Sequence, residues 1–465
     1  MPRLTVPSRL FSPLAQRRPL ATRGGDFLFL SGQTPHDPGT GSLITTLGEV
    51  RQKAKDTLDL TMYESLFDKT LAGPIAAQTF TILSNIQGIL FENGMSMDSI
   101  CKMNIYLRDG EAIDALRKVW ERFFPKPSVA CSVVEVSSLG MNPRIQVMID
   151  CIAALPDRIA PVHLQAIESE SRQLGFGRCA AVKAGDLIFV SGHIGVDDHG
   201  RAILTGKEVS KEAEAFIRSQ GVITGRSEAT MAQAWKINAA IESVLKQLGS
   251  SGDHILIQNF FARTMRPDLY RLLPVNRIFY PEKPPAGTGF GYSRIGADEN
   301  LRVQVEVIAT VPGKKEAFAF DPGLTKPTTH YSMATKAGPY IFLSGRAGIN
   351  WQKDGDPIVS ADDLTPWQGQ HIMVGRPDEE KPVFLQAWYC YEAIRKIVNT
   401  LGAGLEDVVK TNVFVADVGD LPLVERARNY FFGESLPAET VIPISQATMH
   451  RELVVEVEPI LVLDR

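Results

Sequence analysis

The chain has 465 residues, 44% of them hydrophobic and 22% charged, with a formal net charge of −4. That length exceeds one hydrophobic core and points to about three domains, and the charge balance offers no basic stripe for nucleic acid. No apolar run reaches the roughly 20 residues of a membrane span, and five scattered cysteines without a CxxC pair argue for a reducing compartment, read as the cytoplasm, and against a disulfide framework.

The N-terminal stretch MPRLTVPSRLFSPLAQRRPLATRGG is Arg-rich and holds no acid before Asp26. A transit peptide has this composition, but part of the stretch is needed as an opening strand. DFLFLSGQ (26–33) then reads as a strand ending in Ser-Gly. After an insertion at about 45–73, AAQTFTILSNIQGILFENG carries apolar residues three or four apart and stops at glycine, which predicts a helix. ICKMNIYLRD predicts a strand, VWERFFP closes a second helix, and the alternation of IQVMIDCIA predicts a last strand.

The series then restarts twice. DLIFVSGH (186–193) and PYIFLSGR (339–346) repeat the first strand, and MAQAWKINAAIESVLKQLG and FLQAWYCYEAIRKIVNTLG repeat the helix. Ser31, Ser191 and Ser344 lie 160 and 153 residues apart; Gln78, Gln233 and Gln386 lie 155 and 153 apart. Asn104, Asn259 and Asn412 hold one place in the strand after the helix. Two independent markers with the same period indicate an internal triplication. Each unit reads as β-β-α-β-α-β-β, an α+β fold, with boundaries at 1–157, 158–316 and 317–465. Further insertions fall near 205–226 and 351–381, and linkers near 153–163 and 310–323. Two helices cover one face of each sheet. The other face is also apolar, and closing three such faces around a pseudo-threefold axis buries them together.

Taken with FLFLSGQTPHDPGTG, ICKMNIYLRDGEAIDALRKVWERFFP and the third repeat's LEDVVKTNVFVADVGDLPLVERARNYFF and ELVVEVEPILVL, the chain resembles the RidA/YjgF family of enamine/imine deaminases. The second repeat is more diverged. The resemblance implies chorismate-mutase-like topology, and a single-chain pseudo-trimer in place of the family's usual homotrimer, with a pocket at each inter-repeat interface. It also implies hydrolysis of a 2-imino or 2-enamino acid to a 2-keto acid and ammonia. That chemistry needs a cation for the substrate carboxylate, a positioned proton-transfer group and a wall against solvent.

The family's carboxylate-binding arginine is replaced in all three repeats: its position falls at or near Cys131, among the glycines around Gly287–Gly289, and at Glu439. The family's last-strand glutamate corresponds to Met148, Gln304 and Glu456, so only the third repeat keeps it. The family's tyrosine corresponds to Tyr331; the first repeat has Arg18 there, and the second Arg178 or Phe176. The resemblance thus implies Glu456 and Tyr331 as catalytic groups of one working pocket. The residue after Ser-Gly varies as Gln33, His193 and Arg346, and in the family this strand end faces the pocket. Arg346 and Arg294 are therefore candidate replacement anchors, with Ser344, Gly289 and His193 as further candidate contacts.

No His beside Cys131 in sequence suggests a Cys-His nucleophile, and the eight histidines form neither HxH nor HExxH, so no metal site is expected. No cofactor fingerprint is present, and the expected partner is a small-molecule substrate rather than nucleic acid or a membrane. GTGFG (287–291) precedes no helix and is read as a place of close backbone approach. The leading expectation is a hydrolase acting on a small carboxylated imine or enamine. Other hydrolytic chemistry of the chorismate-hydrolase kind, and a non-catalytic ligand-binding role, remain open, as does further self-association.

Overall fold

The computed structural model describes residues 4–6, 18–50, 74–110, 113–156, 162–164, 170, 178–221, 223–296, 298–319, 330–350, 355–364, 377–447 and 450–463. Most of the 45–73 insertion, much of 351–381 and Phe176 fall outside them.

The first repeat contains β1 (Leu4–Val6), β2 (Ala21–Gly24), β3 (Phe27–Leu30), helix α1 (Pro74–Glu92), β4 (Ile100–Leu107), α2 (Ile113–Phe123), β5 (Ala130–Glu135) and β6 (Val147–Ala154). Its sheet runs β1-β2-β3-β6-β4-β5, with β4 and β5 parallel and the other pairs antiparallel. The second repeat follows with β7 (Val162–Leu164), β8 (Ala181–Ala184), β9 (Leu187–Val190), β10 (His193–Ile194), α3 (Lys211–Ser219), α4 (Arg226–Gln247), β11 (Ile255–Ala262), α5 (Met265–Phe279), β12 (Ala286–Gly291) and β13 (Val303–Thr310). The third has β14 (Lys315–Phe318), β15 (Ala334–Ala337), β16 (Tyr340–Leu343), β17 (Arg346–Ala347), β18 (Ile349–Asn350), β19 (Asp356–Pro357), α6 (Pro382–Thr400), β20 (Val408–Val415), α7 (Leu421–Phe432), β21 (Ala438–Pro443), β22 (Gln446–Ala447) and β23 (Val455–Val462). The second sheet runs β12-β11-β13-β9-β8-β7 and the third β14-β15-β16-β23-β20-β21, the order of the first. The chain is therefore α+β with one sheet topology built three times. Strand β22 of the third repeat joins the second sheet through Phe290 and Ala447 and ties the two repeats together.

Local sequence explains the recurring elements. Gly25, Gly185 and Gly338 take φ near 56°, 58° and 57° in the hairpin before each Ser-Gly strand, a turn closed by left-handed backbone. Gly94, Gly249 and Gly402 do the same after the long helices. The repeated glutamine is a clamp. The fully buried Gln386 amide donates to Ile358 O and Glu452 O and accepts from Val454 N, fixing the entry to β23. Gln233 and Gln78 hold the segments before β13 and β6 in the same way. Within the 205–226 insertion α3 forms, with the Ser210 hydroxyl accepting from Ala213 N at 3.1 Å.

Each sheet packs its helices on one face in a core of its own. The opposite faces meet in a shared core where Phe27, Phe189 and Phe342, one from each repeat, are buried together. Phe27 lies 5.5 Å from Phe189 and 5.4 Å from Tyr340, ring centre to ring centre, both edge-on. Truncating a ring where three sheets converge removes apolar contacts from all of them. Phe189→Ala is expected to destabilise the protein by about 3–5 kcal/mol in denaturant unfolding.

Candidate functional site between the second and third repeats

The Ser-Gly phrase recurs because it joins one repeat to the next. Ser344 Oγ accepts from Gly287 N of the second repeat at 2.9 Å and donates to Ser332 O at 2.7 Å. Ser191 Oγ makes the same pair of bonds with Cys131 N and Cys179 O, and Ser31 Oγ with Glu439 N and Pro19 O. The following glycine permits close approach: a Cβ on Gly345 would collide with Glu456 Oε1 and Thr288 Cγ2. The three interfaces are therefore built alike, and they differ in the side chains placed around this joint.

At the interface of repeats two and three there is a cavity of about 120 Å³. Tyr331, Arg346, Gly289 and Glu456 all line it. Arg346 sits on β17, which pairs with β23 so that Ala347 faces Glu456. Its Nε donates to Ser344 O at 3.1 Å, and its guanidinium is hydrogen-bonded to the Tyr331 side chain. Arg346 and Glu456 are each only 4% exposed. Burial pushes the Glu456 carboxyl up to about 8; Arg346 opposes the shift and Glu458 adds to it. The buried Glu456 Oε2 has no hydrogen-bond partner among the described residues. Burial also raises the Tyr331 hydroxyl, so it stays protonated and able to donate. The far wall is apolar, with Phe260, Leu269, Leu273, Ile349 and Tyr389. A side-chain Cβ at Gly289 would enter the Phe260 ring, so this glycine lets β12 run against the wall.

The other two interfaces hold different chemistry. Between repeats one and two, His193 Nδ1 lies 2.9 Å from Glu170 Oε1, and Arg178 donates to Glu170 Oε2 at 2.8 Å. Burial raises the Glu170 carboxyl, and His193 with Arg178 outweighs it and holds the group below its ordinary range. Gln304 takes the place of the carboxylate there. Between repeats three and one, the Glu439 carboxylate is filled by Arg428 at 2.6 Å and Arg18 at 3.2 Å, beside Met148. Burial drives the Cys131 thiol up to about 12, which leaves no thiolate for nucleophilic chemistry.

The sequence-derived candidates thus separate. Tyr331, Arg346, Gly289 and Glu456 converge. Ser344 is fully buried and its hydroxyl is spent on the backbone joint. His193 belongs to the preceding interface. Arg294 bridges to Glu135 of the first repeat through its backbone, away from the cavity. Sequence reasoning missed Glu170, which has no counterpart phrase in the other repeats. It also missed the apolar wall from α5 and α6, whose facing residues carry the ordinary signature of helix core. Among the described residues no cluster of His, Cys, Asp or Glu is arranged to hold a metal ion, and no helix is long and apolar enough to cross a membrane.

Residues 65–155 and 324–463 match the family model described as Endoribonuclease L-PSP. The chain is 28% identical to a RutC family protein of Pyrococcus horikoshii, over 27% of this chain and 79% of that one. It is 24% identical to the 2-iminobutanoate/2-iminopropanoate deaminase of Dermatophagoides farinae, over 31% of this chain and 93% of that one. Among solved structures it is similar to a chorismatase, with 14% identity and a TM-score of 0.42, over 78% of this chain and 93% of that one. The matched segments of the first and third repeats are of the RidA/YjgF family, and relatives that include a named imine deaminase support a deaminase-like or related role at the level of that family.

Proposed function

We propose that the protein is a hydrolytic deaminase of small 2-imino or 2-enamino acids, working in the cavity between its second and third repeats. The observation that carries this reading is the convergence of Tyr331, Arg346 and Glu456 in one cavity. Arg346 supplies from the Ser-Gly strand end the guanidinium that the family places elsewhere, and a planar guanidinium suits a carboxylate. Glu456 is raised to about 8 and begins the cycle protonated at neutral pH. It gives its proton to the imine nitrogen and makes the carbon electrophilic. The resulting carboxylate then takes a proton from the attacking water. That proton then passes from Glu456 to the carbinolamine nitrogen, and as the C–N bond breaks the carboxylate takes the hydroxyl proton, so the keto acid and ammonia leave and Glu456 is again protonated. Tyr331, hydrogen-bonded to Arg346, orients the carboxylate end. The apolar wall accommodates a carbon side chain and limits solvent.

The test is ammonia release from freshly generated 2-imino acids. Release above the spontaneous rate supports the reading, and its loss above about pH 8 is expected because the protonated form of Glu456 starts the cycle. No acceleration with any imino acid would overturn the deaminase reading and leave a binding role for the cavity.

A further inference from the structure

Each interface also carries an acid on the last strand two residues beyond the pocket position: Asp150, Glu306 and Glu458. Around them lies a small axial cavity of about 40 Å³, which Asn104, Asn259 and Asn412 also line. Two of the three acids are neutralised identically. Lys102 Nζ lies 2.6 Å from Glu306 and donates to Ser132 Oγ and Val190 O. Lys410 Nζ lies 3.3 Å from Asp150 and donates to Thr440 Oγ1 and Leu30 O. The matching position in the second repeat, two residues before Asn259, is Ile257, buried at 3% exposure. Glu458 therefore has Thr288, Asn412 at 2.9 Å and Asn259 at 3.5 Å as hydrogen-bond donors, and no lysine among the described residues. The interface that lacks the lysine is also the one that keeps a second carboxylate, because Glu456 and Glu458 lie on one face of β23. The lysine-bearing interfaces have Gln304 and Met148 at the Glu456 position.

Building on the deaminase reading, we propose that Glu458, left without a lysine by Ile257, is a positioning residue that couples to Glu456 and sets the pH at which the pocket carboxyl loses its proton. The geometry is that of two buried carboxyls on one face of β23, of which only Glu456 has a cation beside it among the described residues. Arg346 on β17 acts on Glu456, His330, Tyr331 and His450 line the same cavity, and Cys390 of α6 lies within electrostatic reach of Glu456; Glu306 of β13 shares the axial cavity with Glu458, and Lys102 and Lys410 are held by their own acids. Tyr292, beyond β12, also senses both carboxyls. Burial pushes Glu458 up to about 7 and Glu306 adds to the shift, while Thr288, Asn412 and Asn259 ease it, so both carboxyls on this face are raised and their titrations are coupled.

The experiment follows Glu456 in two ways, by the pH dependence of ammonia release and by the carboxyl carbon resonances of 13C-glutamate-labelled protein, assigned with Glu456→Gln. Glu458→Gln removes the neighbouring charge, and Ile257→Lys neutralises it; both are expected to move the Glu456 midpoint down by about one pH unit. Ile257→Met controls for packing and should leave the midpoint in place. A Glu456 midpoint unchanged in Glu458→Gln and in folded Ile257→Lys would overturn the proposal. Should Ile257→Lys not fold, Glu458→Gln decides alone. The resonance titration does not depend on turnover. Absent ammonia release with a shifting midpoint would refute only the deaminase reading, whereas release with an unmoved midpoint would refute only the coupling.

Discussion

Glu456→Gln is expected to lower kcat for imine hydrolysis by about 10²–10⁴-fold, because the amide neither gives nor takes the proton. The same variant should fold at least as firmly as the wild type. The Glu456 carboxyl has an ordinary value of 4.5 and is raised to about 8 in the folded chain. The folded state therefore binds an extra proton across that window, and the stability this provides is complete below 4.5 and lost as pH rises through about 8. Glu458, raised to about 7, contributes with the same sign. Thermal melts should show the wild type losing stability between about pH 5 and about pH 9, with a shallower loss in Glu456→Gln. A variant that is inactive and also unfolded at neutral pH would assign Glu456 to structure instead.

Arg346→Ala is expected to reduce kcat/KM about 100-fold, chiefly through KM, since a charge-assisted bond to a buried anion contributes up to about 3 kcal/mol. Arg346→Lys should recover only part, because an ammonium lacks the bidentate fork. The arginine also opposes the upward shift of Glu456. Its removal should move the descending limb of the pH–rate profile to higher pH, while Lys holds it nearer the wild-type position. Unchanged KM for carboxylated imines in Arg346→Ala would exclude the guanidinium as the anchor.

The fold was legible because its signals are periodic. A Ser-Gly strand, a glutamine helix and an asparagine strand return at nearly one spacing, and the serine and glutamine serve backbone hydrogen bonding that any copy of the unit requires. Gln386 and Ser344 show this: both are spent wholly on main-chain partners. The cavity was only partly legible. Tyr331 and Glu456 stand in phrases that resemble a known family, and Arg346 follows the Ser-Gly strand. Arg294 and His193 carry suggestive side chains, but sequence does not say which of three interfaces a strand end meets. The wall from α5 and α6 was invisible, since Leu269 and Tyr389 look like helix core until a neighbouring repeat is set opposite. One signal lay in plain view: Lys102 and Lys410 stand two residues before the repeated asparagine, and Ile257 breaks the pattern.

That break has a consequence for how such a site can arise. In an assembly of three identical chains, exchanging the axial lysine for isoleucine would strip three positive charges from one enclosed spot and leave three facing carboxylates uncompensated. Here the repeats are covalently joined, so the exchange happens once, and Asp150 and Glu306 keep their lysines. Tandem fusion converts a symmetric constraint into three separately adjustable joints. One of them can hold an ill-compensated, reactive arrangement while the other two, closed by Arg428 with Glu439 and by Arg178 with Glu170, bear the mechanical burden of the ring.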